Sequence, residues 1–215
     1  DPRVIVNGQV SGSFTVPDMT YDSRLRNTTG YQLYKGCDPA AVHEGGYITA
    51  SIIFRYAEVL CNYAEAKAEL GECSQDDLDI SVNQLRDRVD MPHMTVDVGF
   101  VDPKWDFPGL SPLLNEIRRE RRVEFACEGY RFDDLMRWAA VNLIKRPMIG
   151  AKMKQFADIK DQFKPVLDPG AIPVNDAGYI APHWNSPAKS GWQFDENKNW
   201  LKPLPSNELV LNSNL

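Results

Sequence analysis

The run Leu113 to Trp138, LLNEIRRERRVEFACEGYRFDDLMRW, holds the densest group of side chains able to bind or move charge. Between Glu116 and Arg137 it carries six arginines (118, 119, 121, 122, 131 and 137) and six acids (116, 120, 124, 128, 133 and 134). Clustered arginine can grip phosphates, but only where positive charge is left uncompensated and counterions are released. Here the two signs cancel. The run therefore reads as a self-paired lattice, in which Glu120 and Glu124 meet Arg121, Arg131 or Arg137 within or across helices, and no nucleic-acid partner is expected. Exposed ion pairs contribute ~0–1 kcal/mol each, so such a lattice orders the turn at Gly129 more than it adds stability.

Other reactive types are present without a reactive arrangement. His43, His93 and His183 are separated by long stretches, and none stands beside a Ser or Cys in a nucleophile setting. No P-loop, GxGxxG, HExxH or GxSxG occurs. Asp and Glu are abundant enough for a glycosidase-like carboxylate pair, but that requirement is spatial and leaves no motif. Cys37, Cys61, Cys73 and Cys127 are scattered with no CxxC, so zinc is not expected. Cys61 and Cys127 fall on apolar helix faces, where a free cysteine behaves as a small buried hydrophobe; oxidising surroundings would permit a disulfide instead. Acidic loops lack a DxDxDG calcium pattern. The expectation is a protein without catalysis, cofactor or metal.

The elements that hold these residues are mostly helical. A helix is predicted from about Ser51 to Leu70, with Ile52, Tyr56, Val59, Leu60, Tyr63 and Leu70 at helical spacing and Gly71 past its end. Tyr56 and Tyr63, seven apart, are expected to pack on the neighbouring helix. Ser74 caps a second helix with Asp77 reaching back, Leu78, Val82, Leu85 and Val89 form its stripe, and Pro92 ends it. Residues 51–92 thus make an αα-hairpin of tetratricopeptide type. Ser111 and Pro112 start a third helix that reaches about Glu128, Gly129 interrupts it, and a fourth carries Phe132, Leu135, Met136 and Trp138, giving a helix–Gly–helix unit over 111–140. A further helix is expected around Ile149–Phe163. Residues 1–50 read as loops with a small hairpin, and the prolines after 165 make the last third irregular, with a final turn led by Ser206.

With 215 residues, 43% apolar content and net charge −6, the chain can build a sizeable core and does not favour a polyanion or an anionic membrane face. No apolar run approaches the ~20 residues of a membrane span, and no basic and apolar leader opens the sequence.

Four blocks carry a family resemblance: FRYAEVLCNYAEAKAELGE (54–72), VNQLRDRVDMP (82–92), ERRVEFACEGYRFDDLMRW (120–138) and WLKPLPSNELVLNSNL (200–215). Together and in this order they resemble the SusD/RagB family. Within them Arg55, Tyr56, Glu58, Glu120, Arg121, Arg122, Glu124, Glu128, Gly129, Arg131, Asp134, Leu135, Arg137 and Trp138 form the structural motif. The resemblance implies a mainly α fold, an α-α superhelix of tetratricopeptide-like pairs with an irregular, loop-rich C-terminal region. It also implies that residues 1–215 are a single C-terminal domain of a longer chain. The implied function is that of a surface-exposed outer-membrane lipoprotein, non-catalytic, that captures oligosaccharides for a SusC-like TonB-dependent transporter. Its lipid anchor would be an N-terminal cysteine, and no cysteine here sits in a lipobox. Oligopeptide capture within the same family, and a helical interaction scaffold with no small ligand, are the alternatives.

A sugar ring stacks its CH face on a flat aromatic side chain and needs amides and carboxylates for its hydroxyls, best presented on loops held by a rigid scaffold. Trp105, Phe107, Tyr179, Trp184 and Trp192 fit that requirement, with Asp102, Asp106, Asn185 and Gln193 as polar neighbours. The 21-residue link from Met91 to Ser111 that carries Trp105 and Phe107 is long enough to suggest a functional loop. Trp200 belongs to the terminal family block and reads as structural.

Overall fold

A computed structural model of the protein describes residues 3–6, 9–13, 29–31, 33, 35, 52–152 and 173–212. They divide into two compact units, Ala50–Asp134 and a second formed by Asp1–Thr49 with Leu135–Leu215. The fold is mainly helical, as the sequence implies.

In the first unit, α1 (Tyr56–Glu69) begins five residues later than the spacing predicts. Arg55 is extended (φ −139°, ψ 154°) because its guanidinium binds Glu124 and Glu128, at 2.7 Å to the latter. Tertiary ion pairing therefore stops the helix from growing backwards. The buried face also differs from the expected stripe: Ala57, Leu60, Cys61, Ala64 and Glu65 face inward. Tyr56 is 65% exposed, and Ile52, Val59 and Leu70 are exposed as well. Small residues at 57, 61 and 64 allow α1 to pack on α4, so tyrosine bulk turns outward; Tyr63 instead gives its hydroxyl to Asp77. Past the end of α1, Gly71 (φ 72°) donates to Ala68 O and Glu72 to Lys67 O, a Schellman closure that requires the left-handed residue.

The predicted second helix is two: α2 (Gln75–Asp79) and α3 (Val82–Asp87). The capping box forms as expected, with Ser74 Oγ accepting from Asp77 N at 3.1 Å and Asp77 Oδ2 accepting from Ser74 N at 2.9 Å. The break follows from Ser81, whose hydroxyl donates to Asp77 O and whose backbone leaves the helical region (φ −128°, ψ −105°). Leu78, Val82 and Leu85 are buried, whereas Val89 lies past the helix end and is exposed. Buried Asn83 then grips the returning chain, donating to Met94 O at 3.0 Å and accepting from Met94 N at 2.7 Å.

Helix α4 (Pro112–Glu124) starts with Ser111 Oγ accepting from Leu114 N at 3.2 Å. It ends at Glu124, short of the expected Glu128, because Cys127 (φ 64°) and Gly129 (φ 90°) reverse the chain before α5 (Tyr130–Arg137). Cys127 is consequently exposed and off the helix, while Cys61 is fully buried and desolvation pushes its thiol up to about 12. Cys61, Cys73 and Cys127 are free thiols, and Cys37 lies outside the described residues. Two apolar clusters fill the unit: Ala57, Leu60, Cys61, Leu85 and Phe125 with Tyr130 against them, and Ala64, Leu78, Val82, Met94 and Ile117.

The charged lattice pairs with itself only in part, through Arg119–Glu116 at 3.3 Å and Arg121–Asp134, and Glu120 and Glu124 meet arginines from outside the run instead of the expected Arg121, Arg131 or Arg137. Glu120 binds Arg86 (2.7 Å), Glu124 binds Arg55 and Arg88, Arg118 binds Glu69 (2.8 Å), and Arg121 binds Asp134 through both carboxylate oxygens (2.8 and 2.9 Å). Apart from the two pairs within the run, these contacts reach α1, α3 or the residue flanking each. The helical rotation of α4 points successive charges at different neighbours, and those neighbours supply the counter-charge.

In the second unit, β1 (Arg3–Val6) and β2 (Gln9–Ser13) form an antiparallel hairpin with Ile5 opposite Val10 and a bulge between Arg3 and Ile5. After α6 (Val141–Ile144), residues 149–152 are not helical: Lys152 bridges Tyr179 and Ala151 N donates to Thr29 O at 2.8 Å. Residues 153–163 of the predicted helix lie outside the described residues. Its described residues also include a 3₁₀ turn, Pro187–Ser190, and a terminal helix α7 (Ser206–Leu211).

Two consequences can be measured. Replacing Arg121 by Met takes from buried Asp134 the cation that meets both its oxygens, while Glu65 keeps Arg118 at 3.8 Å, and chemical denaturation is expected to show a loss of about 3–5 kcal/mol, most of it recovered by R121M/D134L. Asp77 accepts from the Ser74 hydroxyl, the Tyr63 hydroxyl and the Ser74 amide, which hold its carboxyl far below the usual carboxylate range. A depressed native value adds stability that is present above the unfolded value near ~3.9 and is lost as pH falls through the native one. D77N is therefore expected to be less stable than the parent at pH 7, with the gap closing on acidification.

Candidate functional site

The link between α3 and α4 is held by the helix that follows it. Asn115, buried on the first turn of α4, donates to the carbonyls of Phe107 (2.8 Å), Leu110 (3.3 Å) and Ser111 (3.1 Å) and accepts from Phe107 N (3.2 Å). Asp102 Oδ1 accepts from Lys104 N at 2.8 Å, closing the preceding turn. The result is a cavity of about 220 Å³ lined by Asp102, Lys104, Trp105, Asp106, Phe107 and Asn115 with Arg118, Arg119, Arg122 and Arg131. Four of the predicted residues, Trp105, Phe107 and their polar neighbours Asp102 and Asp106, do converge here.

Their setting differs from the exposed aromatic pair that the sequence suggests. Trp105 is half-buried, donates Nε1–H to Glu116 at 2.7 Å and leans on Phe100 with centroids 6.0 Å apart. Phe107 lies under the Arg118 guanidinium, 4.6 Å from its centroid. Asp106 Oδ2 accepts from Arg122 at 3.0 Å and from Arg131 at 3.5 Å. Buried polar groups on α4 draw the aromatics inward, so this cavity presents guanidinium more than ring faces.

In the second unit a cleft of about 500 Å³ is lined by Lys145, Ser190, Gly191, Trp192, Gln193, Phe194, Asp195, Lys198 and Asn199. Trp192 is 52% exposed, with His183 edge-on at 5.5 Å. Asn199 Oδ1 accepts from Asp195 N at 2.6 Å, and Asp195 accepts from Asn197 N at 3.0 Å and Lys198 Nζ at 3.3 Å. The Asn197 amide and Lys198 lower its carboxyl below the ordinary range. Phe194 packs edge-on against Trp200 with ring centroids 4.9 Å apart. Gly191 is required: at φ 106°, a Cβ would stand 1.8 Å from Lys145 O.

Of the remaining predicted residues, Gln193 joins Trp192 in this cleft, while Tyr179, Trp184 and Asn185 line neither cavity. Lys189 Nζ sits 3.8 Å over the Trp184 ring and Lys152 Nζ 5.4 Å from that of Tyr179, covering faces a ligand would need. Lys145, Asp195, Lys198 and Asn199 escaped sequence reading; the close spacing of Asp195, Lys198 and Asn199 after Trp192 was their one signal. Among the described residues no group of three His, Cys, Asp or Glu side chains gathers as metal ligands, and no helix is long and apolar enough to cross a membrane.

Comparison with known proteins follows the same fold. A SusD-like protein P38 of Formosa agariphila is 36% identical over 89 residues, 41% of this chain and 17% of that protein. A solved SusD-like protein from Bacteroides fragilis aligns over 95% of this chain and 33% of its own, with a TM-score of 0.56 and 24% identity, a likeness of fold. The chain thus spans well under half the length of either relative. The family model described as SusD family matches residues 8–215. On that match, which contains all four sequence blocks, the chain belongs to the SusD family.

Proposed function

We propose that this protein is a non-catalytic glycan-binding component of an outer-membrane uptake system, a surface lipoprotein that captures oligosaccharides and passes them to a SusC-like TonB-dependent transporter. Family membership supports this reading in general terms. The observation that carries it on this chain is the Trp192 cleft. An indole half open to solvent offers a stacking face, and Gln193, Asn199, Asp195 and Lys198 surround it with the amide, carboxylate and ammonium groups that sugar hydroxyls bond. The backbone is fixed by the Asp195–Asn199 bonds and by the tight approach of Gly191 to Lys145, so little ordering accompanies binding.

Calorimetric titration of the full chain with neutral and acidic oligosaccharides tests the reading. Saturable heat is expected, and Trp192→Ala should weaken it about tenfold (~1.4 kcal/mol) with an unchanged melting temperature. Heat with oligopeptides alone would replace glycan capture by peptide capture.

A further inference from the structure

We infer that the cavity beneath the 102–107 loop is an anion-selective subsite that takes the acidic substituent, a carboxylate or a sulfate ester, of a charged sugar. That the charge is carried by a sugar rests on the glycan-capture reading above.

Sequence and space give this stretch different charges. The Glu116–Arg137 run is neutral by count, yet the fold sorts its signs. Glu120, Glu124 and Glu128 are taken up by Arg86, Arg88 and Arg55, away from the cavity. Arg118, Arg119, Arg122 and Arg131 line the cavity together with Lys104, against Asp102 and Asp106. Depth separates the charges again. The side chains of Arg119 and Arg122 are 51% and 47% exposed, whereas those of Asp106 and Glu116, which they contact, are 17% and 9% exposed. An incoming ligand meets guanidinium first and carboxylate behind it.

This order gives the acids a positioning role. Asp106 accepts one N–H from Arg122 and one from Arg131 on a single oxygen, and Glu116 and Asp102 stand 3.3 and 3.6 Å from Arg119 Nη1. Each guanidinium offers five donors in a planar fork, so one edge held from behind orients the other for a second oxyanion. Carboxylates and sulfates accept such forks through two oxygens at once. Asn115 and the Trp105–Glu116 bond fix the loop wall, which keeps the arrangement preformed. Partial enclosure strengthens charge pairing relative to open surface.

Size and net charge narrow the ligand. About 220 Å³ lies below the ~300–1,000 Å³ of sites that enclose a drug-sized molecule, so one ring or its substituent fits and a chain segment does not. The net charge of −6 repels polyanions at long range. Recognition must then be local, of a charge presented on an otherwise neutral molecule, and it must weaken as salt rises.

The test is a set of titrations of the full chain at low and high salt with three oligosaccharides of equal length: one carrying a single uronic acid, one carrying a single sulfate ester and a neutral one. At low salt at least one acidic ligand is expected to bind about tenfold or more tightly than the neutral ligand, and the two acidic arms tell carboxylate from sulfate. Arg119→Gln with Arg122→Gln should abolish that preference. Should the double variant fail to fold, Arg122→Lys serves instead, because it keeps the charge, removes the fork and is expected to lose part of the preference. Equal affinity for acidic and neutral ligands overturns the subsite while glycan capture stands. Binding of no glycan at all overturns the subsite together with the reading beneath it. An acidic preference that survives both the arginine variants and high salt also overturns it, by placing the preference elsewhere.

Discussion

The buried bond between Arg121 and Asp134 is the constraint on which the first unit depends. Arg121 is 5% exposed, meets both oxygens of Asp134, donates to Asn62 Oδ1 at 2.7 Å and lies 5.1 Å from the Phe125 ring. One side chain from α4 thus ties α1 and α5 to it across the left-handed residues at 127 and 129. Desolvating two charges is costly, and such a pair adds little net stability over an apolar substitute. Its effect is geometric, since it fixes the rotation of α4 that turns Arg121 toward Asn62 and Asp134.

Once that rotation is set, the rest of α4 has no freedom. Glu120 and Glu124 must meet Arg86, Arg55 and Arg88, which locks the extended residue before α1 and the end of α3. Asn115 and Glu116 must face the 91–111 link, which they hold through four side-chain bonds to backbone and one to an indole. Arg119 and Arg122 are left toward the cavity. Loop geometry and cavity charge are therefore downstream of a core ion pair, and α4 transmits both.

Much of this was readable from local chemistry. Ser74 and Asp77, Ser111 and Pro112, and Gly129 marked their boundaries because caps and left-handed residues act within three or four positions. Errors arose where distant partners overrode local spacing. Arg55 stays extended for Glu124 and Glu128, far along the chain, and apart from Leu60 the apolar residues on the inward face of α1 are alanine and cysteine, too small to stand out in a stripe of bulky side chains. Ser81 split a helix by a hydroxyl bond that periodicity does not register. Among the ligand candidates, Trp192 and Gln193 were legible as an exposed aromatic with an amide neighbour. Trp105 was not, because its burial depends on Glu116 turning toward it.

The same reasoning bears on how charge should be read in this protein. Adding signs along a helix assumes that neighbours in sequence are neighbours in space, which holds for residues three or four apart on one face. In α4 the face that carries Arg118 and Arg122 is not the face that carries Glu120 and Glu124, and each face finds its counter-charge in a different element. Neutrality along the chain therefore coexists with a cavity edged by guanidinium. The second cleft shows the opposite case, because Asp195 and Lys198 are close in sequence and meet in space at 3.3 Å, and the indole of Trp192 stands beside charges that are already paired.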